Sequence, residues 1–128
     1  MAKKFKHAFG GETPANVARD YENAAQYGNV GVGADYLYFD GLMQVEFVPM
    51  NELVWAYMRQ EDSRVTLCCG KGILETCYLI IRTARGDKRK VHVERKDDLK
   101  KALALLEKNA PSVVIGYSKD NALRFEAV

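Results

Sequence analysis

The run Tyr36-Leu37-Tyr38-Phe39-Asp40-Gly41-Leu42-Met43-Gln44-Val45-Glu46-Phe47-Val48-Pro49 decides the fold class. Asp40-Gly41 lies between two apolar stretches, and both residues tolerate the positive φ of a tight hairpin, so strand, turn and strand are expected. In the second strand, alternation sets Met43, Val45 and Phe47 on one face and Gln44 and Glu46 on the other. Working outward, the same chemistry repeats. Upstream, Val30-Gly31-Val32-Gly33 has period two. Downstream, residues 53–58 are apolar on both faces, which predicts a central or bent strand. Gln60-Glu61-Asp62-Ser63-Arg64 reads as a polar turn, and Val65-Thr66-Leu67-Cys68-Cys69 as a further strand ended by Gly70-Lys71-Gly72. Residues 77–83 are β-rich, Arg85-Gly86-Asp87-Lys88 turns the chain, and residues 90–94 alternate with Val91 and Val93 inward.

Helical signals flank this run of strands. Leu99, Ala102, Leu103 and Leu106 stand at i, i+3, i+4 and i+7, with Leu105 beside the stripe, so a helix is predicted over 97–109. Asp97 or Asp98 suits its N-cap, Asn109 a left-handed cap, and Pro111 its stop. Thr13-Pro14 predicts a second helix over 14–27, with Val17, Tyr21, Ala24 and Ala25 on one narrow face and Gly28 as its cap. Residues 1–13 read as a loose arm, residues 112–117 as a short strand or packing segment, and the tail from Ala122 gives no clear pattern.

The 128 residues amount to one domain's worth of chain. No repeat or linker divides them, and the expected layout is arm and helix over 1–28, core over 29–117 and tail over 118–128. The 48% hydrophobic and 28% charged content excludes a largely disordered chain. The longest apolar run, Cys77 to Ile81, is far too short to span a bilayer, and Met1-Ala2-Lys3-Lys4-Phe5-Lys6-His7 has no apolar stretch after its charges. A soluble cytoplasmic domain is expected.

The net charge of +2 does not argue for nucleic acid. Its distribution is uneven. Residues 82–101 hold nine bases and four acids, a local +5, whereas residues 31–81 hold three bases and seven acids, a local −4. Two solvated faces are the favoured explanation, because charged hairpin tips and helix starts are ordinary solubility devices; a surface that steers a charged partner is the alternative.

Specific chemistries find little support. Three cysteines, Cys68, Cys69 and Cys77, fit a reducing compartment better than a disulfide framework. No zinc spacing occurs, and a site assembled from Cys69, Cys77 and His92 is the remaining option for a metal. No metal or cofactor is therefore expected. Gly70-Lys71-Gly72 is too short for a phosphate loop, and Gly28-Asn29-Val30-Gly31-Val32-Gly33 lacks dinucleotide spacing. Glu61-Asp62 and Asp97-Asp98 fit a turn and a helix start, His92 a solvated strand, and Trp55 and Tyr57 a core face.

Residues 32–117 resemble the bacterial pleckstrin-homology-like domains, relatives in shape of PH and GRAM modules. The likeness rests on Val32-Gly33-Ala34-Asp35-Tyr36-Leu37-Tyr38, on Val48-Pro49-Met50-Asn51-Glu52-Leu53-Val54-Trp55-Ala56-Tyr57, on Tyr78-Leu79-Ile80-Ile81 with Gly86 and Lys90-Val91-His92-Val93, and on the 99–106 helix followed by Ala110-Pro111 and Gly116-Tyr117. A run of strands followed by a helix means an α+β fold, and the resemblance implies its form. A PH-like curved antiparallel sheet or partly open barrel of six to seven strands would be capped by the C-terminal helix, with the N-terminal helix as an extra. It also implies a non-enzymatic module that binds a protein partner or a second copy of itself. The alternative is a peripheral binder of anionic lipid or another polyanion through the basic hairpin 82–90, with Arg85, Lys88, Arg89 and Lys90 as its anion-binding residues. Nucleic acid is disfavoured, because that hairpin lacks stacking aromatics apart from Tyr78. A small enzyme with an unrecognised site is the third possibility.

Overall fold

The computed structural model of the chain describes residues 4–67 and 70–126. Its elements in order are β1 (Lys4–His7), α1 (Val17–Glu22), β2 (Ala25–Tyr27), β3 (Val30–Val32), β4 (Tyr36–Asp40), β5 (Gln44–Pro49), a 3-10 turn (Met50–Glu52), β6 (Leu53–Leu67), β7 (Gly70–Thr83), β8 (Lys88–Val93), α2 (Lys96–Asn109), β9 (Val114–Ile115) and α3 (Lys119–Glu126). The fold is α+β. The strands form two sheets, ordered β1-β5-β4-β3-β2 and β8-β7-β6-β9, which do not close into a barrel.

The main core lies between the sheets. Leu37, Phe39 and Val48 of the first sheet meet Ala56, Leu79, Ile81, Val91 and Val93 of the second. Helix α2 closes this space with Leu99, Ala102 and Leu106, all buried, while Leu103 and Leu105 are half-buried beside them. Each fully buried leucine stabilises the closure by about 1.5–3 kcal/mol.

The outer sheet faces are apolar too, and the chain termini cover them. On the first sheet Tyr36, Tyr38, Val45 and Phe47 lie under Val17, Tyr21 and Ala24 of the α1 segment and under Phe5 of β1. On the second, Trp55, Tyr57 and Ile80 lie under Val114, Ala122 and Phe125. Strands β4 and β6 are therefore apolar on both faces for one reason: each faces the core on one side and a terminal segment on the other.

Several expectations from the sequence are corrected. The sheets are mixed, because β1 runs parallel to β5 and β9 parallel to β6. In both pairs a long stretch of chain separates the two strands, which is what a parallel neighbour requires. The loose N-terminal arm contains β1, and its His7 is buried at 4% exposure. The helix expected over 14–27 contracts to Val17–Glu22, with Asn16 rather than Thr13 at its N-cap and no side-chain cap bond from Asn16. Its expected end becomes β2, paired with β3 from Ala25↔Val32 to Tyr27↔Val30. Gly28, at φ +66°, serves the two-residue turn between those strands rather than a helix cap.

The hairpin at Asp40 forms, but Gly41, Leu42 and Met43 make a longer connection, and Met43 is 81% exposed rather than inward. The stretch read as a polar turn at 60–64 is the middle of β6, whose partners run unbroken from Trp55↔Arg82 to Leu67↔Gly70. Its polarity reflects a ribbon leaving the core, and it holds no glycine or proline that would turn it. Gly70 and Gly72 belong to β7, while Cys68 and Cys69 lie outside the described residues. Helix α2 has Arg95 at its N-cap, with Asp97 and Asp98 in its first turn. Its C-cap, Ala110, has φ −131°, so no left-handed cap forms; the Asn109 side chain donates instead to Gly33 O at 2.9 Å. The tail contains α3.

Candidate functional site

The four residues of the predicted anion site fall on one turn and one edge strand, and alternation divides them. Lys88, Lys90 and His92 are exposed on the outer face of β8, whereas Arg89 shares the inner face with buried Val91 and Val93. Arg85 lies in the turn before β8, its Nη2 3.3 Å from Asp87 Oδ2. Arg89 Nη2 is 2.6 Å from Glu46 Oε2, a tie between the two sheets across their open margin. Lys90 Nζ donates to Glu61 Oε1 at 2.9 Å and stands 4.1 Å from the centre of the Tyr78 ring. The structure thus places Arg85, Arg89 and Lys90 beside carboxylates and does not gather the four into one cradle.

A groove of about 490 Å³ runs along β8 on the Arg89 side, walled by Asp40, Gln44 and Glu46 across from Arg89, Lys90 and His92. Two carboxylates there oppose two bases. An anion entering the groove meets no net positive field. Asn29 Nδ2 donates to His92 O at 2.7 Å, so part of the β8 edge is already capped.

The other candidate chemistries also take definite places. Cys77 faces the core, while His92 is on the opposite, exposed face of the sheet, so the two do not converge on an ion. Among the described residues no group of three His, Cys, Asp or Glu side chains is arranged to hold a metal. Trp55 and Tyr57 are buried, and Trp55 Nε1 donates to Gly116 O at 2.8 Å.

Tyrosine hydroxyls on the first sheet act as donors. Tyr38 donates to Asp20 Oδ2 at 2.7 Å, Tyr21 to Asp40 Oδ1 at 2.9 Å and Tyr36 to Asn16 Oδ1 at 2.8 Å. Burial, then the bond to Asp40, pushes Tyr21 up to about 12. Burial and the Asp20 carboxylate raise Tyr38 further still, and burial raises Tyr36. Hydroxyls held this firmly in the protonated state are structural donors rather than bases.

The feature that sequence reasoning missed is an arm. Strand β8 covers β7 only from Cys77 to Arg82, and β9 covers β6 only at Trp55 and Ala56. Beyond them residues 61–67 and 70–76 continue as a two-stranded ribbon, seven residues in each strand. At about 3.3 Å per residue it reaches roughly 23 Å. Three contacts brace its base: Lys90 to Glu61, Gln60 Nε2 to Glu75 Oε1 at 2.9 Å, and Lys96 Nζ to Gln60 Oε1 at 3.2 Å. Ile73 on the arm is 70% exposed. Along the free side of β6, a hollow of about 420 Å³ opens between Tyr57, Met58, Arg59, Gln60 and the exposed Tyr117. The signal for the arm is that 53–67 holds no glycine or proline to turn the chain, with β-prone residues on both sides of the charged middle.

Among the described residues, no helix is long and apolar enough to cross a membrane. A family described as "Domain of unknown function (DUF6709)" matches residues 3–125. No curated protein matches the chain. No solved structure matches it.

Proposed function

This chain belongs to the DUF6709 family of unknown function, and we propose that it is a non-enzymatic PH-like interaction module of a bacterial cytoplasm that binds a protein chain through the strand edges of its β6–β7 arm. One observation carries this reading: the arm leaves the sandwich with strand edges that no other described strand covers. Open edges present unpaired N–H and C=O groups, a template for another strand. An isolated two-stranded ribbon is marginal in water and gains stability from a third strand. The PH-like assignment is supported by two sheets that share a core closed by the helix at 96–109.

The test is photocrosslinking in cells, with a benzoylphenylalanine placed at Met58 or Ile73 and, as a control, at Lys101 on the exposed side of α2. Discrete protein adducts from Met58 or Ile73 but not from Lys101 are expected. Absence of adducts at both Met58 and Ile73 overturns the module.

A second reading, binding of an anionic lipid surface through 82–90, has in its favour the exposure of Lys88, Lys90 and His92 on one face. The carboxylates beside Arg85, Arg89 and Lys90 weigh against it. Each base near an anionic membrane contributes only about 1 kcal/mol even when unpaired.

A further inference from the structure

Resting on the interaction-module reading, we infer that the strand added to β6 comes from a second copy of this chain, paired antiparallel about a two-fold axis at Ser63. The β9 contact fixes which backbone groups are available. Gly116 N donates to Ala56 O at 2.9 Å, so even-numbered residues of β6 turn their N–H and C=O toward that edge. The register of β6 against β7 continues without a shift from Trp55 to Leu67. Met58, Gln60, Asp62, Arg64 and Thr66 therefore present their backbone groups outward, past the end of β9.

Charge selects the register. With Ser63 opposite its symmetry mate, Asp62 of each copy stands opposite Arg64 of the other, and Gln60 opposite Thr66. These are the hydrogen-bonded pairs, giving about eight interchain bonds. The neighbouring symmetric registers place Asp62 opposite Asp62 or Arg64 opposite Arg64, and like charges directly opposed are unfavourable.

The other free edges are poorer hosts for a second copy. On β8, self-pairing would bring Lys88, Arg89 and Lys90 of both chains together, the usual guard against edge association. The free edge of β7 is shorter and carries Gly70 and Gly72, which weaken a strand. The β6 edge has neither defect.

The experiment uses the full chain. Light scattering across a concentration series is expected to show a species of twice the 14.4 kDa chain mass. Asp62→Arg or Arg64→Asp alone should raise the dimer Kd about tenfold or more, and the double swap Asp62→Arg/Arg64→Asp should restore it. With Cys68, Cys69 and Cys77 replaced by alanine, Ser63→Cys should oxidise to a linked dimer about tenfold faster than Asp62→Cys, whose neighbour is Arg64. Circular dichroism of every variant separates lost pairing from lost folding. A monomer at all concentrations overturns the inference, as does a dimer indifferent to both charge reversals. Photocrosslinked adducts at Met58 or Ile73 that contain only another protein also overturn it while leaving the module intact; absence of any adduct removes both.

Discussion

The carboxylate of Asp20 occupies the space where a side chain on Gly33 would begin. From there its Oδ1 accepts the backbone N–H groups of Ala34 and Asp35 at 3.1 and 3.3 Å, and its Oδ2 accepts the Tyr38 hydroxyl. On the other side, Asn109 of α2 donates to Gly33 O. One turn between β3 and β4 is thus held by both α1 and α2. A Cβ at residue 33 must displace the Asp20 side chain. Gly33→Ala is expected to destabilise the protein by about 3 kcal/mol in urea denaturation, with Asp20→Ala costing about 2 kcal/mol. The double variant should cost clearly less than the sum, because both changes remove the same hydrogen bonds.

Alkaline pH should loosen the first sheet. The Tyr21 pKa lies near 12 in the folded chain against an ordinary value of 10.0. A group whose pKa is raised on folding adds stability that is complete below the unfolded pKa and is lost as pH rises through the folded one. The contribution is therefore intact below about pH 10 and gone above about 12. Absorbance at 295 nm should show late tyrosine ionisation coincident with unfolding, and Tyr21→Phe should flatten the pH dependence of stability in that window.

Anionic vesicles should bind the native chain weakly at physiological salt, because Glu46 and Glu61 already accompany Arg89 and Lys90. Glu46→Gln with Glu61→Gln frees both bases and should increase vesicle co-sedimentation several-fold, an effect abolished by high salt. Strong binding by the native chain, lost in a Lys88/Arg89/Lys90 triple-alanine variant, would instead favour the lipid reading.

The single tryptophan reports on the C-terminal helix. Trp55 is 1% exposed, and the Phe125 ring stacks 5.4 Å from it at 24°. Phe125→Ala should red-shift the Trp55 emission and cost about 1–2 kcal/mol, less than a fully buried phenylalanine because Phe125 is only half-buried. Leu99→Ala, at 0% exposure inside the main core, should cost more, about 2–5 kcal/mol, with the emission maximum unchanged.

Local chemistry made much of the fold legible. The stripe of α2, the alternation of β8 and the doubly apolar 53–58 segment each depend on neighbours close in sequence, so periodicity revealed them. Charge in the middle of β6 reads as a turn because a polar strand projecting from a core and a polar turn have similar compositions. Gly28 reads as a helix cap because a positive φ suits a helix cap and a hairpin alike, and only the pairing of Tyr27 with Val30 distinguishes them. The basic hairpin was legible as a cluster of charge, but its ion pairs join Arg89 to Glu46 and Lys90 to Glu61, partners far away along the chain.

The amino-acid order by itself determined the α+β class, the strand content of the centre and the helix that closes the core, because short-range periodicity dictates which faces must leave water. Tertiary structure alone decided that the two terminal segments cover the outer sheet faces, that acids neutralise the basic strand, and that β6 and β7 outrun their neighbours. Those outcomes depend on where distant segments stop beside one another. No local pattern records how far a strand extends past the last residue of the strand next to it.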